Sequence, residues 1–329
     1  MKIPYLSPTT FIKFTKICEW RVYLEKVKQV LPKDEYEKEQ TMAAATGTAV
    51  DIMIKGALNR RVKVEEELKK EIQPRNEASI LLAREIFEYY NHGPLQALKA
   101  EGVGYGGVDQ EIELEWEEPV SPSMQIMAGK VLPIVNGSTL TKTWKSVIYG
   151  RPDLTLKSGE VLDWKCQGMF GRGTRPRDGY TRCFVFGRDH PMHGKDMGSS
   201  PKGDDKVPME QINEDWAIQL YLYNRLLGHR AGEPLRAGIE NICVDYPKKN
   251  QPVIFCASYR NPISQYFQLS IEKKFHDAYN RLIESDTDHK VIESANPAKY
   301  RCITYNRLCS VSQFCEAYKI ATMRGRDLE

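Results

Sequence analysis

The stretch Gly150-Arg-Pro-Asp153-Leu-Thr-Leu-Lys-Ser-Gly-Glu-Val-Leu-Asp163-Trp-Lys165 decides both the fold class and the candidate site of this chain. Its Ser158-Gly159 pair is typical of a tight turn and separates two short apolar runs, so the stretch predicts a β-hairpin. Because alternate residues of a strand project from one face, Asp163 and Lys165 are expected to project together. Asp153 would lie beside them on the partner strand.

Two carboxylates and one ammonium at one point predict a site for a metal ion. Carboxylate oxygens suit hard divalent cations such as Mg²⁺ and Mn²⁺. An ammonium can orient a water molecule or stabilise charge on a phosphate group. Asp153, Asp163 and Lys165 are therefore candidates for metal-dependent phosphodiester hydrolysis. The alternative is a solvated hairpin with charged tips.

A second pattern lies downstream, between Trp216 and Gly228. Apolar residues recur there with helical spacing and Gly228 is a natural helix end, so the pattern predicts a helix. Gln219 and Tyr223 are four residues apart and share one face of it. The alternative is an ordinary amphipathic helix whose Tyr223 belongs to the core.

A third pattern lies upstream, where Thr46 to Leu58 combines small and apolar residues and predicts a helix. It contains Gly47-x-x-x-Asp51. Asp51 is a candidate for a further ligand of Mg²⁺ or Mn²⁺. The alternative is that Asp51 is an exposed residue of the helix.

In their order along the chain, these patterns resemble the PD-(D/E)xK nuclease superfamily, and its RecB-like branch in particular. The resemblance implies that Asp153 and Asp163 bind metal and that Lys165 is catalytic. It also implies that Gln219 and Tyr223 lie along the active-site cleft and help to hold DNA. The branch often carries a histidine ligand where this chain has Asp51, so the preference would shift toward harder ions.

The eight cysteines give a further pattern. The sequence shows neither a secretory signal nor an apolar run long enough to cross a membrane, so a reducing, cytoplasmic location without a membrane partner is expected. Disulfides are not the default there, and clustered cysteines are more often metal ligands. The cluster considered is Cys18, Cys302, Cys309 and Cys315.

The segment from Ser7 to Leu24, which carries Cys18, resembles the opening of the iron–sulfur nucleases of the same superfamily, such as the CRISPR-adaptation nuclease and the AddB-type nuclease. The resemblance implies that the four cysteines hold a 4Fe–4S cluster. Where that family has the partner of the middle cysteine, this chain has Asn306, so Cys302 would have to substitute. The alternatives are a zinc site and four ordinary buried cysteines.

Residues 168–210 are rich in glycine, serine and charge, and they follow Lys165 closely. They predict a long, mobile loop that engages DNA beside the site. Arg172, Arg175 and Arg177 would contact phosphates, and Tyr180 would stack on bases. The alternative is a solvated insertion.

The rest of the chain predicts an α/β protein with helices first and then a meander of strands that holds the site. Its 329 residues carry a net charge of +3, which permits a DNA partner without requiring one. Predicted helices cover 8–27, 77–90 and 264–284; predicted strands cover 108–117, 124–134, 144–156, 161–166, 236–244 and 253–259.

The expected fold is a restriction-endonuclease-like core within a single domain over residues 1–329, with a central mixed sheet flanked by helices. The cysteine cluster would join the terminal segments 1–40 and 295–329. The expected activity is that of a metal-dependent DNA exonuclease acting on single strands or DNA ends in recombination or repair, with a helicase or recombination protein as partner. The alternatives are a catalytically degenerate DNA-binding module of the same fold and an RNA-directed nuclease.

Overall fold

The computed structural model describes residues 5–30, 41–58, 63–102, 110–119, 141–169, 173–200, 207–248, 251–285, 288, 303–304, 307–308 and 315. Arg172, Cys302, Cys309 and the predicted strand over 124–134 lie outside these residues. The chain divides into two compact units. The terminal unit comprises Met1–Tyr36, Gln110–Gly150 and Gln268–Glu329, and the sheet unit comprises Glu37–Asp109 and Arg151–Phe267.

The described residues form nine α-helices and ten strands. The helices are α1 (Pro8–Ile12), α2 (Glu19–Val22), α3 (Met42–Leu58), α4 (Val64–Glu71), α5 (Glu77–His92), α6 (Pro94–Glu101), α7 (Met209–Ile212), α8 (Glu214–Leu226) and α9 (Gln265–Glu284). The strands are β1 (Gln110–Pro119), β2 (Thr141–Gly150), β3 (Leu154–Thr155), β4 (Val161–Gln167), β5 (Arg182–Phe186), β6 (Lys195–Asp196), β7 (Leu235–Lys248), β8 (Gln251–Ile263), β9 (Ile303–Thr304) and β10 (Arg307–Leu308).

In the terminal unit, the predicted helix over 8–27 begins as expected but is not continuous. Ser7 caps α1, because its Oγ accepts a hydrogen bond from Thr10 N at 3.2 Å. The helical path breaks at Cys18, whose backbone is extended with φ −165° and ψ 115°. Its Sγ accepts a hydrogen bond from Arg21 N at 3.4 Å and so caps α2. The prediction that residues 8–27 are helical is therefore confirmed on both sides of Cys18, and it is corrected at Cys18, which starts a new helix.

Strands β1 and β2 form an antiparallel ribbon in the terminal unit, from Gln110 opposite Gly150 to Pro119 opposite Thr141. Leu6 pairs with Ile148 beside this ribbon, and both side chains are buried. The predicted strand over 144–156 is corrected here. It divides into β2 and β3, and Arg151-Pro-Asp153 separates them.

The sheet unit contains a mixed six-stranded sheet in the order β3–β4–β7–β8–β5–β6. Strands β4 and β7 are parallel, and the other neighbours are antiparallel. Helix α8 packs on both β4 and β7, as expected of the helix in a connection between parallel strands. Helices α3 and α5 pack on each other, and α3 also contacts β4. The α/β class with a mixed sheet flanked by helices is therefore confirmed.

The core of the sheet unit forms where α3 and α5 meet the sheet. Small residues of α3 let the helix approach β4 closely; a Cβ atom on Gly47 would lie 3.7 Å from Cys166 Cβ. Apolar side chains of both helices and of the strands fill the space between them, including Ala49, Ile54, Ile86, Leu162, Trp164, Ile242, Val244 and Ile254. Their burial supplies the main stabilisation of this unit.

The prediction of one long loop over 168–210 is corrected by strand β5. Residues Arg182–Phe186 pair with Ile254–Ser258 of β8 inside the main sheet. Cys183 and Val185 are buried there, which an exposed insertion would not allow. The alternation of apolar residues in Arg-Cys-Phe-Val-Phe is the strand signal that the glycine-rich surroundings obscured.

Among the residues that the structure describes, no helix combines the length and the apolar character needed to cross a membrane.

Candidate active site

The hairpin at the centre of the sequence argument is present. Leu154 pairs with Leu162, and Leu156 N donates to Glu160 O at 2.8 Å. Gly159 closes the turn with a φ of 87°, a conformation that glycine adopts without strain. Asp153 immediately precedes β3, and its Oδ2 accepts a hydrogen bond from Trp164 N at 3.2 Å. The carboxylate is thus fixed against β4.

Asp163 and Lys165 of β4 project together, as predicted. Lys165 Nζ lies 2.5 Å from Asp163 Oδ2, and the two groups form an ion pair. The geometry of this contact is not that of a hydrogen bond. Asp163 is only 2% exposed. Burial, followed by the neighbouring charge of Asp153, raises the pKa of Asp163 well above its ordinary value. The proximity of the two carboxyl groups lowers the pKa of Asp153 and raises that of Asp163.

The pKa of Asp153 moves in the opposite direction. Burial on its own would raise it, but Lys55, the neighbouring Asp163 carboxyl group and the hydrogen bond from Trp164 N outweigh burial and lower the pKa. Of the two neighbouring carboxyl groups, Asp153 is therefore the one that loses its proton more readily.

Helix α3 brings Asp51 to the same place, together with a residue that the sequence analysis missed. Lys55 Nζ lies 2.7 Å from Asp51 Oδ2 and 2.8 Å from Asp153 Oδ1, so it bridges the two carboxylates. Burial alone would lower the pKa of Lys55, but its two partners raise it. The only sequence signal was a single lysine four residues after Asp51 in an otherwise apolar helix.

Asp51 itself has an unusual environment. Its Oδ1 is buried and accepts no hydrogen bond from the described residues. Burial, then the charge of Asp153, raises its pKa from 3.8 to about 6, even though Lys55 opposes the change. A buried carboxylate oxygen without a partner is costly to keep, and it is free to accept a further ligand.

Helix α8 supplies the two polar residues predicted from its sequence. Asn213 caps it, because Asn213 Oδ1 accepts hydrogen bonds from Asp215 N and Trp216 N. Gln219 Oε1 accepts a 2.9 Å hydrogen bond from Lys165 Nζ. Gln219 Nε2 lies 3.2 Å from Asp163 Oδ1 and 3.0 Å from Tyr223 Oη, and it donates to both.

A buried network lies on the opposite face of β4. Trp164 Nε1 donates to Tyr90 Oη at 3.0 Å, and Tyr90 Oη lies 3.4 Å from Glu240 Oε2. Arg260 Nη2 forms a 2.6 Å ion pair with Glu240 Oε1. This network holds Trp164 against α5, β7 and β8. It therefore also fixes β4, the strand on which Asp163 and Lys165 lie.

The donor chemistry of the site fits a hard divalent cation. Three carboxyl groups lie near one another, and two of their oxygens, Asp51 Oδ1 and Asp163 Oδ2, are buried without a hydrogen bond from the described residues. Within the described ranges, however, no three carboxylate, imidazole or thiolate side chains already surround one metal position. Lys55 stands between Asp51 and Asp153, where it takes up an oxygen of each. The metal remains a prediction.

The predicted DNA-contacting residues have protein partners. Arg175 Nε lies 2.6 Å from Asp245 Oδ2, yet the Arg175 side chain is 69% exposed. Arg177 donates to Ile212 O at 2.8 Å and stacks on the Trp216 ring. These contacts tie the segment after residue 173 to α7 and α8. Tyr180 is half-buried, with its ring edge-on to that of Tyr259.

Two of the four proposed cluster cysteines belong to the described residues. Cys18 and Cys315 are both buried and both belong to the terminal unit. The cluster therefore remains a prediction. The other four cysteines, Cys166, Cys183, Cys243 and Cys256, lie on strands of the sheet and form no disulfide.

Comparisons with protein-family models, curated proteins and solved structures give no match to this chain. The functional argument therefore depends on the geometry of the site.

Proposed function

We propose that the sheet unit is a metal-dependent nuclease with a restriction-endonuclease-like core of the RecB-like type. One observation carries the proposal: the carboxyl groups of Asp51, Asp153 and Asp163 neighbour one another, together with Lys165 and Gln219, beside the middle of β4. The hairpin, followed by a helix that presents Gln-x-x-x-Tyr to it, has the order that the resemblance requires. An ordinary structural ion pair would not need three carboxyl groups, one of them with a buried oxygen left unpaired.

Asp153 and Asp163, with Asp51, would hold Mg²⁺ or Mn²⁺. When bound, the ion activates a water molecule and neutralises charge on the phosphate. The protein contributes a fixed arrangement of donors, because Trp164 N holds Asp153 and the hydrogen bond from Gln219 holds Asp163. Carboxylates that are already fixed lose little conformational freedom when the substrate binds. Such preorganisation favours the transition state.

Lys165 would act on the attacking water or on the phosphate. Its side chain is 28% exposed, so a substrate can reach the ammonium, and Gln219 Oε1 holds it in position. Cation binding favours the charged form of a carboxyl group, and burial raises the pKa of Asp163 in the metal-free site. Metal binding is therefore expected to strengthen as pH rises.

The proposed substrate is DNA, either single-stranded or at its ends. Arg175 supports a nucleic-acid partner because most of its side chain is exposed and could pair with a phosphate. The resemblance supports an exonuclease with a role in recombination or repair, in which a helicase or recombination protein would supply the ends.

A nuclease assay on end-labelled single- and double-stranded DNA and RNA, with Mg²⁺, Mn²⁺ or EDTA, tests the proposal. Metal-dependent cleavage that is lost in Asp163→Asn supports it. Binding of DNA without cleavage under any metal would favour the degenerate binding module instead. Preference for RNA would change the substrate class while leaving the site intact.

For the terminal unit we retain the proposal of a 4Fe–4S cluster ligated by Cys18, Cys302, Cys309 and Cys315. The buried positions of Cys18 and Cys315 are compatible with it. Anaerobic purification followed by iron and sulfide analysis tests it, with Cys18→Ala as the variant that should lose both. Zinc in place of iron would identify the lesser alternative.

A further inference from the structure

Lys55 occupies the position between two candidate metal ligands. Its Nζ contacts Asp51 Oδ2 at 2.7 Å and Asp153 Oδ1 at 2.8 Å. Lys55 extends from α3, whose neighbouring residues Ile52, Met53 and Ile54 are buried. The Lys55 side chain is only 21% exposed, so the ammonium is held within the site rather than in solvent.

We propose that Lys55 is an internal cation that competes with the divalent ion for Asp51 and Asp153, and so sets the metal affinity of the site. The inference rests on the proposed function, because it assumes that these carboxylates are metal ligands. An oxygen that pairs with an ammonium at hydrogen-bond distance cannot also point an unshared lone pair at a metal ion from the same direction.

The charges of the site explain why an internal cation is needed. Asp51, Asp153 and Asp163 crowd together, and without a cation their mutual repulsion would oppose folding. Lys165 pairs with Asp163, and Lys55 pairs with the other two. A metal ion that takes over Asp51 and Asp153 makes the Lys55 ammonium redundant, and the two positive groups then repel each other.

Competition and simple structural pairing predict opposite effects of removing the lysine. If Lys55 competes, Lys55→Met should bind Mn²⁺ more tightly than the wild type. We expect a gain in affinity of roughly ten-fold, because the substitution removes one positive charge from beside the ion. If Lys55 merely shapes the site, its loss should leave Mn²⁺ affinity unchanged or weaken it. Lys55→Arg keeps the charge and should stay within a few-fold of the wild type.

The experiment measures Mn²⁺ binding directly, by electron paramagnetic resonance of free Mn²⁺ and by calorimetry, on the full chain without nucleic acid. Lys63→Met is the matched control, since Lys63 belongs to the same unit and is 73% exposed in its pair with Glu66. It removes the same charge and should leave Mn²⁺ affinity unchanged.

Thermal unfolding supplies a second readout. In EDTA, Lys55→Met should melt below the wild type, because its carboxylates have lost their cation. Saturating Mn²⁺ should raise its melting temperature more than that of the wild type, since a tighter ligand stabilises more. Should Lys55→Met fail to fold in EDTA, Lys55→Gln keeps a hydrogen-bond donor without the charge and is expected to show the same gain in Mn²⁺ affinity.

The outcomes separate this inference from the proposed function. If the wild type binds Mn²⁺ and neither neutral variant binds it more tightly, the competition is refuted while the metal site stands. If neither the wild type nor any Lys55 variant binds Mn²⁺, both the inference and the metal-dependent function fail. Tighter binding in both neutral variants, lost again in Lys55→Met with Asp153→Asn, establishes the competition.

Discussion

Gln219 Oε1 accepts a 2.9 Å hydrogen bond from Lys165 Nζ, while Gln219 Nε2 donates to Asp163 Oδ1 at 3.2 Å. One amide of helix α8 thus contacts both charged residues of β4. Both its acceptor and its donor are used; among the other side chains only asparagine carries the same amide group, and asparagine is shorter. Gln219 is a positioning residue of the proposed reaction.

We expect Gln219→Leu to slow single-turnover cleavage by about 10- to 100-fold, because misplaced catalytic groups lose that much from small displacements. The apparent affinity for DNA should change far less than the rate. Tyr223→Phe is the matched control: it removes only the hydroxyl that Gln219 Nε2 contacts at 3.0 Å, and it should have the smaller effect. Equal rates for Gln219→Leu and the wild type would contradict the positioning role.

Asp163→Asn and Lys165→Met should each abolish cleavage, with losses of about 10²–10³-fold or more, since each removes charge that acts on the transition state. Both should remain folded. Asparagine has nearly the shape of aspartate, and its neutral amide suits the buried position that raises the pKa of Asp163. Lys63→Met again controls for the loss of one positive charge and should cleave normally. Full activity in either site variant would refute the assignment.

Asp51→Asn should stabilise the metal-free protein at neutral pH. The folded pKa of Asp51 is raised from 3.8 to about 6, so folding favours its protonated form. That contribution is fully present below pH 3.8 and is lost as pH rises through 6. Above this window the charged carboxylate lowers the free energy of unfolding of the wild type. Asparagine carries no charge, so Asp51→Asn should raise the free energy of unfolding by about 1–3 kcal/mol.

Urea unfolding in EDTA at several pH values between 4 and 8 measures this effect, and the difference between Asp51→Asn and the wild type should grow across that window. In saturating Mn²⁺ the order should reverse, because the variant lacks a ligand. A stability difference that does not change with pH would mean that Asp51 is not the group whose protonation is linked to folding.

Much of the candidate site could be predicted from the sequence because local patterns determine it. Turn chemistry at Ser158-Gly159 and the two-residue period of β4 suffice to place Asp163 beside Lys165, and helical spacing places Gln219 beside Tyr223. Lys55 could not be predicted in the same way. Its partner Asp153 is 98 residues away along the chain. Only the packing of α3 against β4 brings the two together.

The fold was predicted less completely than the site, for similar reasons. A glycine- and arginine-rich composition around Arg182–Phe186 suggested a loop, but pairing with β8 makes these residues a strand of the main sheet. At that point the pairing with a neighbouring strand overrides the local preference of the sequence for a loop. At Cys18 the reverse occurred, because a local capping contact interrupts a segment whose periodicity predicts one helix.

Arg175 and Arg177 should behave differently when neutralised. Arg175 is 69% exposed, so Arg175→Gln should weaken DNA binding and lower the slope of log affinity against log salt by about one. Arg177 holds Ile212 O and the Trp216 ring, so Arg177→Gln should lower thermal stability as well. Fluorescence anisotropy at several salt concentrations and thermal unfolding measure the two effects. Unchanged DNA affinity in both variants would refute a DNA-contacting role for this segment.

The buried pair beneath β4 yields a prediction about stability. Glu240 is 2% exposed and pairs with Arg260 at 2.6 Å, while Ser258 Oγ and Tyr90 Oη also donate to its carboxylate. Arg260→Met should therefore lower the free energy of unfolding by about 3–5 kcal/mol, because it leaves the buried charge of Glu240 uncompensated. Adding Glu240→Gln should recover much of that loss, since the amide oxygen can still accept from Ser258 and Tyr90. Urea unfolding of both single variants and the double variant measures the coupling between them. Additive losses would show that the two charges do not interact.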